Sequence, residues 1–79
     1  MIIYTKHFLE RIKQRNINLP DIKNVLEDKS LLPINDTLGN YIKQKKVDGY
    51  LLRVIYRVEK EDIIVISSYK TSKIEKYDK

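Results

Sequence analysis

The stretch Ile63-Ile64-Val65-Ile66-Ser67-Ser68-Tyr69-Lys70-Thr71-Ser72-Lys73 begins as one of the most hydrophobic runs in the chain. It ends in hydroxyls, a phenol and two lysines, with no Gly or Pro between. A β-branched, apolar run specifies a strand covered on at least one face. Polar groups at the end of such a strand are held firmly and stay within reach of a ligand. The stretch therefore reads as a buried strand that delivers polar side chains to its rim, with Val65, Ser67 and Tyr69 on one face by simple alternation.

Immediately upstream, Tyr50 to Val58 alternates as a second strand. Leu52, Val54, Tyr56 and Val58 form an apolar face, and Leu51, Arg53, Ile55 and Arg57 the other. Lys60-Glu61-Asp62 supplies the turn between the two strands. Before Tyr50, Asp48-Gly49 separates strand-like runs and satisfies the positive φ that a type I′ hairpin needs at both central positions. Tyr41 to Val47, with Lys43, Lys45 and Lys46, suits an exposed edge strand. Leu31 to Ile34 contains Pro33 and reads as an edge strand or extended linker, followed by a turn-rich loop over Asn35 to Asn40.

The N-terminal third has helical spacing instead. Thr5 caps a helix over Lys6 to Gln14 whose stripe is Phe8, Leu9 and Ile12. His7, Arg11 and Arg15 recur every four residues, forming a polar, mostly cationic row beside that stripe. Asn18, followed by Leu19, Pro20 and Asp21, starts a second helix that buries Ile22, Val25 and Leu26. Two helices this short need a sheet to cover them. The expected fold is α+β, with two short N-terminal helices packed on a three- to four-stranded antiparallel meander, all in one domain spanning residues 1–79. Ile74 and Tyr77, three apart in the polar tail, suit one helical turn or a docked tail.

Composition limits what such a domain does. With 79 residues the core is modest. There is no cysteine, so disulfides, thiolate metal sites and cysteine catalysis are excluded. The start of the chain lacks the basic flank and long apolar region of a signal peptide, and no apolar run approaches a membrane span. A cytoplasmic protein without a membrane partner is expected. Sixteen Lys and Arg against eleven Asp and Glu give a net charge of +5, which favours an anionic partner, nucleic acid first and an acidic protein second. The same lysines also serve as a solubility device.

Three segments together resemble a family: Tyr4-Thr5-Lys6-His7 with Arg11 and Arg15, then Leu52-Arg53-Val54-Ile55-Tyr56, then Ser67-Ser68-Tyr69-Lys70-Thr71-Ser72-Lys73-Ile74-Glu75-Lys76-Tyr77. The chain resembles, over nearly its whole length, a family of small prokaryotic proteins of unassigned function. That family is grouped by fold with the RelE/ParE-like toxins and with the barnase, EndoU, colicin and RelE ribonucleases. Ser67 stands where the family pattern commonly has Thr, which keeps the hydroxyl. The resemblance implies a RelE-like fold and a toxin-type, metal-independent endoribonuclease similar to the mRNA interferases. Its implied partners are RNA, on or off the ribosome, and a cognate acidic antitoxin protein. ParE-like members of the same grouping bind gyrase and are not nucleases, so a non-enzymatic inhibitor or binding module stands beside the nuclease. The residues the resemblance singles out are His7, Arg53, Ser67, Tyr69 and Thr71.

Metal-independent RNA cleavage needs a base for the 2′-hydroxyl, cations for the crowded phosphate and an acid for the leaving 5′-oxygen. His7, the only histidine, suits either proton-transfer role, so a two-histidine mechanism is excluded. Tyr69, a lysine such as Lys70 or Lys73, or water must be the complementary carrier, and Tyr69 is the preferred one. Arg53 and Arg57 share a strand face and can each clamp a phosphate with paired donors. Together His7, Arg53 and Tyr69 form the expected catalytic set. Arg11, Arg15, Arg57, Ser67, Lys70, Thr71 and Lys73 are expected to hold RNA or phosphate. Ordinary roles compete: His7 as a capping or interfacial residue, Tyr69 as a core aromatic, and Arg57 paired with Glu59, Glu61 or Asp62. The carboxylates are scattered and the only glycines are Gly39 and Gly49, so neither a catalytic metal, a cofactor nor a Gly-rich phosphate loop is expected.

Overall fold

The computed structural model describes residues 1–36 and 38–73 of the chain. The tail bearing Ile74 and Tyr77 lies outside the described residues. The fold is α+β: strand β1 (Ile2–Tyr4), helices α1 (Lys6–Gln14) and α2 (Leu19–Glu27), then strands β2 (Ile34–Asn35), β3 (Tyr41–Val47), β4 (Tyr50–Glu59) and β5 (Asp62–Thr71).

Thr5 starts α1 as its sequence position predicts. Its backbone is extended and its hydroxyl oxygen accepts from the Phe8 amide at 3.1 Å. The helix ends because Asn16 enters the left-handed region at φ 57°. The Asn16 amide then donates to Lys13 and the Ile17 amide to Ile12, which satisfies two terminal carbonyls. Ile17 is thereby turned back into the core, where it is buried with Ile12. α2 follows at once from Asn18, with Pro20 in its first turn and Ile22, Val25 and Leu26 buried.

The five strands form one sheet in the order β1-β5-β4-β3-β2. From β2 to β5 it is the expected antiparallel meander, with Asp48 at φ 50° and Gly49 at φ 81° closing the β3–β4 hairpin. The expected purely antiparallel sheet of three to four strands is corrected by β1. Ile2, Ile3 and Tyr4 pair in parallel with Ile63, Ile64 and Val65, making a five-stranded mixed sheet. Three residues are too few to display a period of two, so this strand carries no alternation to read.

Both helices cover one face of the sheet. Phe8, Ile12, Ile22, Val25, Leu52, Val54, Tyr56 and Val65 meet there as the core. Val58, expected on the same face, is 50% exposed, as β4 continues past Tyr56 toward its end at Glu59. Among the described residues no helix is long and apolar enough to cross a membrane.

The shared face expected for Val65, Ser67 and Tyr69 is also corrected. Ile55 is opposite Ser67 while its neighbour Tyr56 is opposite Val65, so Ile66 is an extra residue, a β-bulge. Strict alternation would turn Tyr69 inward with Val65. The bulge reverses the phase: Val65 and Ser68 face the helices, and Ser67 and Tyr69 face away from them.

Candidate functional site

On β4 the core takes Leu52, Val54 and Tyr56, so Arg53 projects from the helix-free face. Its register partners are Gln44 on β3 and Tyr69 on β5, which places three side chains in one row across the sheet. Arg53 Nε donates to Gln44 Oε1 at 3.1 Å, and Nη1 donates to the Tyr69 hydroxyl oxygen at 2.6 Å. The guanidinium carbon also lies 5.6 Å from the Tyr69 ring centroid. Arginine has no acceptor atom, so this bond uses the phenol oxygen and leaves the phenolic proton for another partner.

Behind the row, Ser68 is 1% exposed and its hydroxyl donates to the Arg53 carbonyl at 2.8 Å. From the helical layer Arg15 Nη1 donates to the Ser68 carbonyl at 2.7 Å. The backbone on either side of the Arg53–Tyr69 pair is thus tied down by side chains as well as by the ladder. Sequence reasoning missed Gln44 and Ser68. Gln44 was legible only as the register partner of Arg53 through the Asp48-Gly49 turn, and Ser68 only once the bulge is known.

Ser67 and Thr71 flank Tyr69 on its own face, opposite Ile55 and Leu51. Thr71 Oγ1 already accepts from the Lys73 amide at 3.1 Å in a local turn. Lys73 itself is exposed just past the strand. Arg57 is opposite Ile64 and pairs with Glu59 at 3.1 Å, an exposed pair of little energetic weight. Lys70 projects to the other side of β5, where Nζ donates to the Asn16 carbonyl at 2.9 Å and lies 5.4 Å from the Tyr50 ring centroid.

The structure does not join His7 to this row. His7 is exposed on α1, in the layer that covers the opposite face, and among the described residues its imidazole makes no hydrogen bond. Its helical row nevertheless leads toward the site, because Arg15, two turns on, closes on β5. β1 pairs only with Ile63 to Val65, and among the described residues no strand pairs with Ser67 to Thr71 on the side away from β4. Arg11 is exposed between His7 and Arg15. Of the ten residues singled out in the sequence, the structure gathers Arg53, Ser67, Tyr69 and Thr71 on one face, Arg15 behind them, and Lys70 on the reverse of the strand.

Chemically, the row presents an oriented guanidinium beside a phenol with a proton to give. That combination can hold an oxyanion and protonate a group bonded to it. Among the described residues no three His, Asp or Glu side chains converge as metal ligands. No curated protein and no solved structure gives a significant match to the chain. A family model does match, over residues 4–70, from the end of β1 to the residue after Tyr69. The chain belongs to that family, which is described as a domain of unknown function, DUF4258.

Proposed function

We propose that this domain is a RelE-like, metal-independent endoribonuclease of toxin type, binding RNA across the helix-free face of its sheet. The observation that carries this reading is the 2.6 Å bond from Arg53 Nη1 to the Tyr69 hydroxyl oxygen. It sets a phosphate-binding cation and a proton donor side by side. The net charge of +5 favours the same anionic partner.

In this mechanism Arg53 clamps the scissile phosphate. The ribose 2′-oxygen attacks the adjacent phosphorus, losing its proton to a base, and the bond from phosphorus to the 5′-oxygen breaks. Tyr69 gives its proton to that oxygen, which leaves as a 5′-hydroxyl, and the other fragment ends in a 2′,3′-cyclic phosphate. Water takes the 2′-proton, because His7 stands in the helical layer on the other side of the sheet from Tyr69. His7, with Arg11 and Arg15, meets the RNA backbone where the strand turns over the Ser67–Thr71 edge of β5. Ser67, Thr71, Lys70 and Lys73 hold the flanking backbone. A cognate acidic antitoxin covering this cationic surface is the proposed protein partner.

The position of His7 favours a second reading. Because it stands on the helical layer, away from Tyr69, the domain also suits a ParE-like inhibitor or binding module that occludes a partner without chemistry. Incubating the purified protein with RNA in the presence of EDTA separates the two. The nuclease yields 2′,3′-cyclic phosphate ends and loses activity on Tyr69→Phe. Growth arrest without RNA cleavage, surviving both Tyr69→Phe and His7→Ala, establishes the non-enzymatic alternative.

A further inference from the structure

On the reverse side of β5 from Tyr69, a cavity of about 250 Å³ opens between the α1–α2 link and the β3–β4 hairpin. Its lining includes Asn16, Asn18, Asp21, Asp48, Tyr50 and Lys70, over the apolar floor of Ile17 and Leu52. We propose that this cavity is a base-binding pocket for one unpaired nucleobase carrying an exocyclic amino group. The proposal rests on RNA being the partner and names which part of it the domain reads.

Size comes first. Sites for drug-sized ligands occupy roughly 300–1,000 Å³, so this cavity accepts a single ring system and not a dinucleotide or large cofactor. Charge then selects the kind of ring. Asp21 and Asp48 line the cavity and oppose a phosphate inside it, while Lys70 opposes a second cation. A neutral, flat, donor-rich ring satisfies both. Carboxylates accept from the amino groups of guanine, cytosine or adenine, whereas uracil presents two carbonyls and one N–H.

The remaining groups fit that ligand. The Tyr50 ring is a stacking platform, and Tyr50 is 46% exposed. Asn18 precedes α2 without a capping bond from its side chain, so its amide is available to a base edge. Lys70 is aimed by its bond to the Asn16 carbonyl and provides a cation for the phosphate next to the bound base. Adjacent residues of a strand project to opposite faces, so Lys70 and Tyr69 serve two sides of one strand. An RNA strand crossing the edge at Ser67–Thr71 sets a phosphate at Arg53 and Tyr69 and a neighbouring base in the cavity.

The test uses uncleavable 2′-O-methyl pentanucleotides, one all uridine and three others with a single central G, C or A, titrated into ¹⁵N-labelled protein. The expected result is amide shifts at Asn16, Asn18, Tyr50 and Lys70 with the amino-bearing oligomers, and about tenfold tighter binding than all-uridine. Tyr50→Ala and Asp21→Asn, each with a dispersed amide spectrum showing that it folds, should erase the preference while keeping the all-uridine affinity. Equal binding of all four oligomers, with shifts confined to the Arg53–Tyr69 face, overturns the pocket and leaves RNA binding intact. No binding of any oligomer overturns the pocket and the RNA reading together. Competition by spermidine for the same amides, without base preference, overturns the base in favour of a polyamine.

Discussion

Lys43 reaches from β3 to the end of α2, where its Nζ donates to the Leu26 carbonyl at 3.0 Å and to the Asp28 carbonyl at 3.4 Å. α2 has no basic residue in its own last turn, so the sheet supplies the cation that its terminal carbonyls attract. Lys43→Met keeps the aliphatic stem and removes the donor. Loss of about 1 kcal/mol of stability is expected, measured by urea denaturation. An unchanged midpoint would mean that water replaces the ammonium at no cost.

The same helix end contains a pH-sensitive carboxylate. Asp28 is held down at about 2 by its bond from the Ser30 hydroxyl, then by Lys45 at 3.0 Å and the Ser30 amide. A folded-state value below the unfolded one stabilises the fold above the unfolded value, and that contribution is lost as pH falls through the folded value. The loss attributable to Asp28 therefore occurs between about pH 4 and pH 2. Asp28→Asn should flatten the stability profile in that window, and a profile parallel to the wild type there would contradict the assignment.

Deleting Ile66 should be tolerated. Its removal makes the β4–β5 ladder regular while leaving Val65 and Ser68 inward and Ser67 and Tyr69 outward. A cost of about 1 kcal/mol is expected. Deleting Ile55 from the central strand turns Tyr56 out of the core and should abolish cooperative unfolding. Thermal melts of the two deletion variants check both outcomes, and the rank order carries the prediction.

Gly49→Ala should cost about 1 kcal/mol, because L-residues resist the left-handed conformation that Gly49 adopts at φ 81°. Nothing lies within 4 Å of an added Cβ, so the penalty is conformational and not steric. Gly39→Ala, at φ 82° and equally open, is the matched control on a longer loop.

For the proposed cleavage, Tyr69→Phe should lower the rate by roughly 10²-fold or more, since the general acid is removed. Arg53→Lys keeps the charge but loses the planar fork that binds Gln44 and Tyr69 together, and should fall with it. Single-turnover kinetics on a short RNA measure both. His7→Ala should leave that rate unchanged at saturating protein, and a fall in it would return His7 to the mechanism as the base.

The helices were legible because their signals are local: Thr5 as a cap, the stripe Phe8, Leu9 and Ile12, and Pro20 in a first turn. The hairpin was legible because Asp48-Gly49 specifies its own backbone angles. Arg53 was placed correctly on the face away from the core by alternation alone. What alternation could not supply was phase across an irregularity. Ile66 looks like any other apolar residue in its run, yet it decides which way Tyr69 points. The distance between His7 and Tyr69 was equally unreadable, because it depends on which face the helices cover. β1 was missed because its partner lies at the other end of the sequence.

That last pairing has a consequence for how the protein is made. Ile63 donates its amide to the Met1 carbonyl at 2.8 Å, and the Met1 amino group meets the Glu61 carbonyl, 60 positions away. β1 leaves the ribosome well before its partner exists. Helices and hairpins can form as they emerge, but the sheet acquires its first strand only after β5 has been translated. Until then Ile2, Ile3 and Tyr4 are apolar and unpaired on the nascent chain. The strand that carries Tyr69 is also the one whose arrival completes the sheet, so the proposed chemistry waits until β5 has been made.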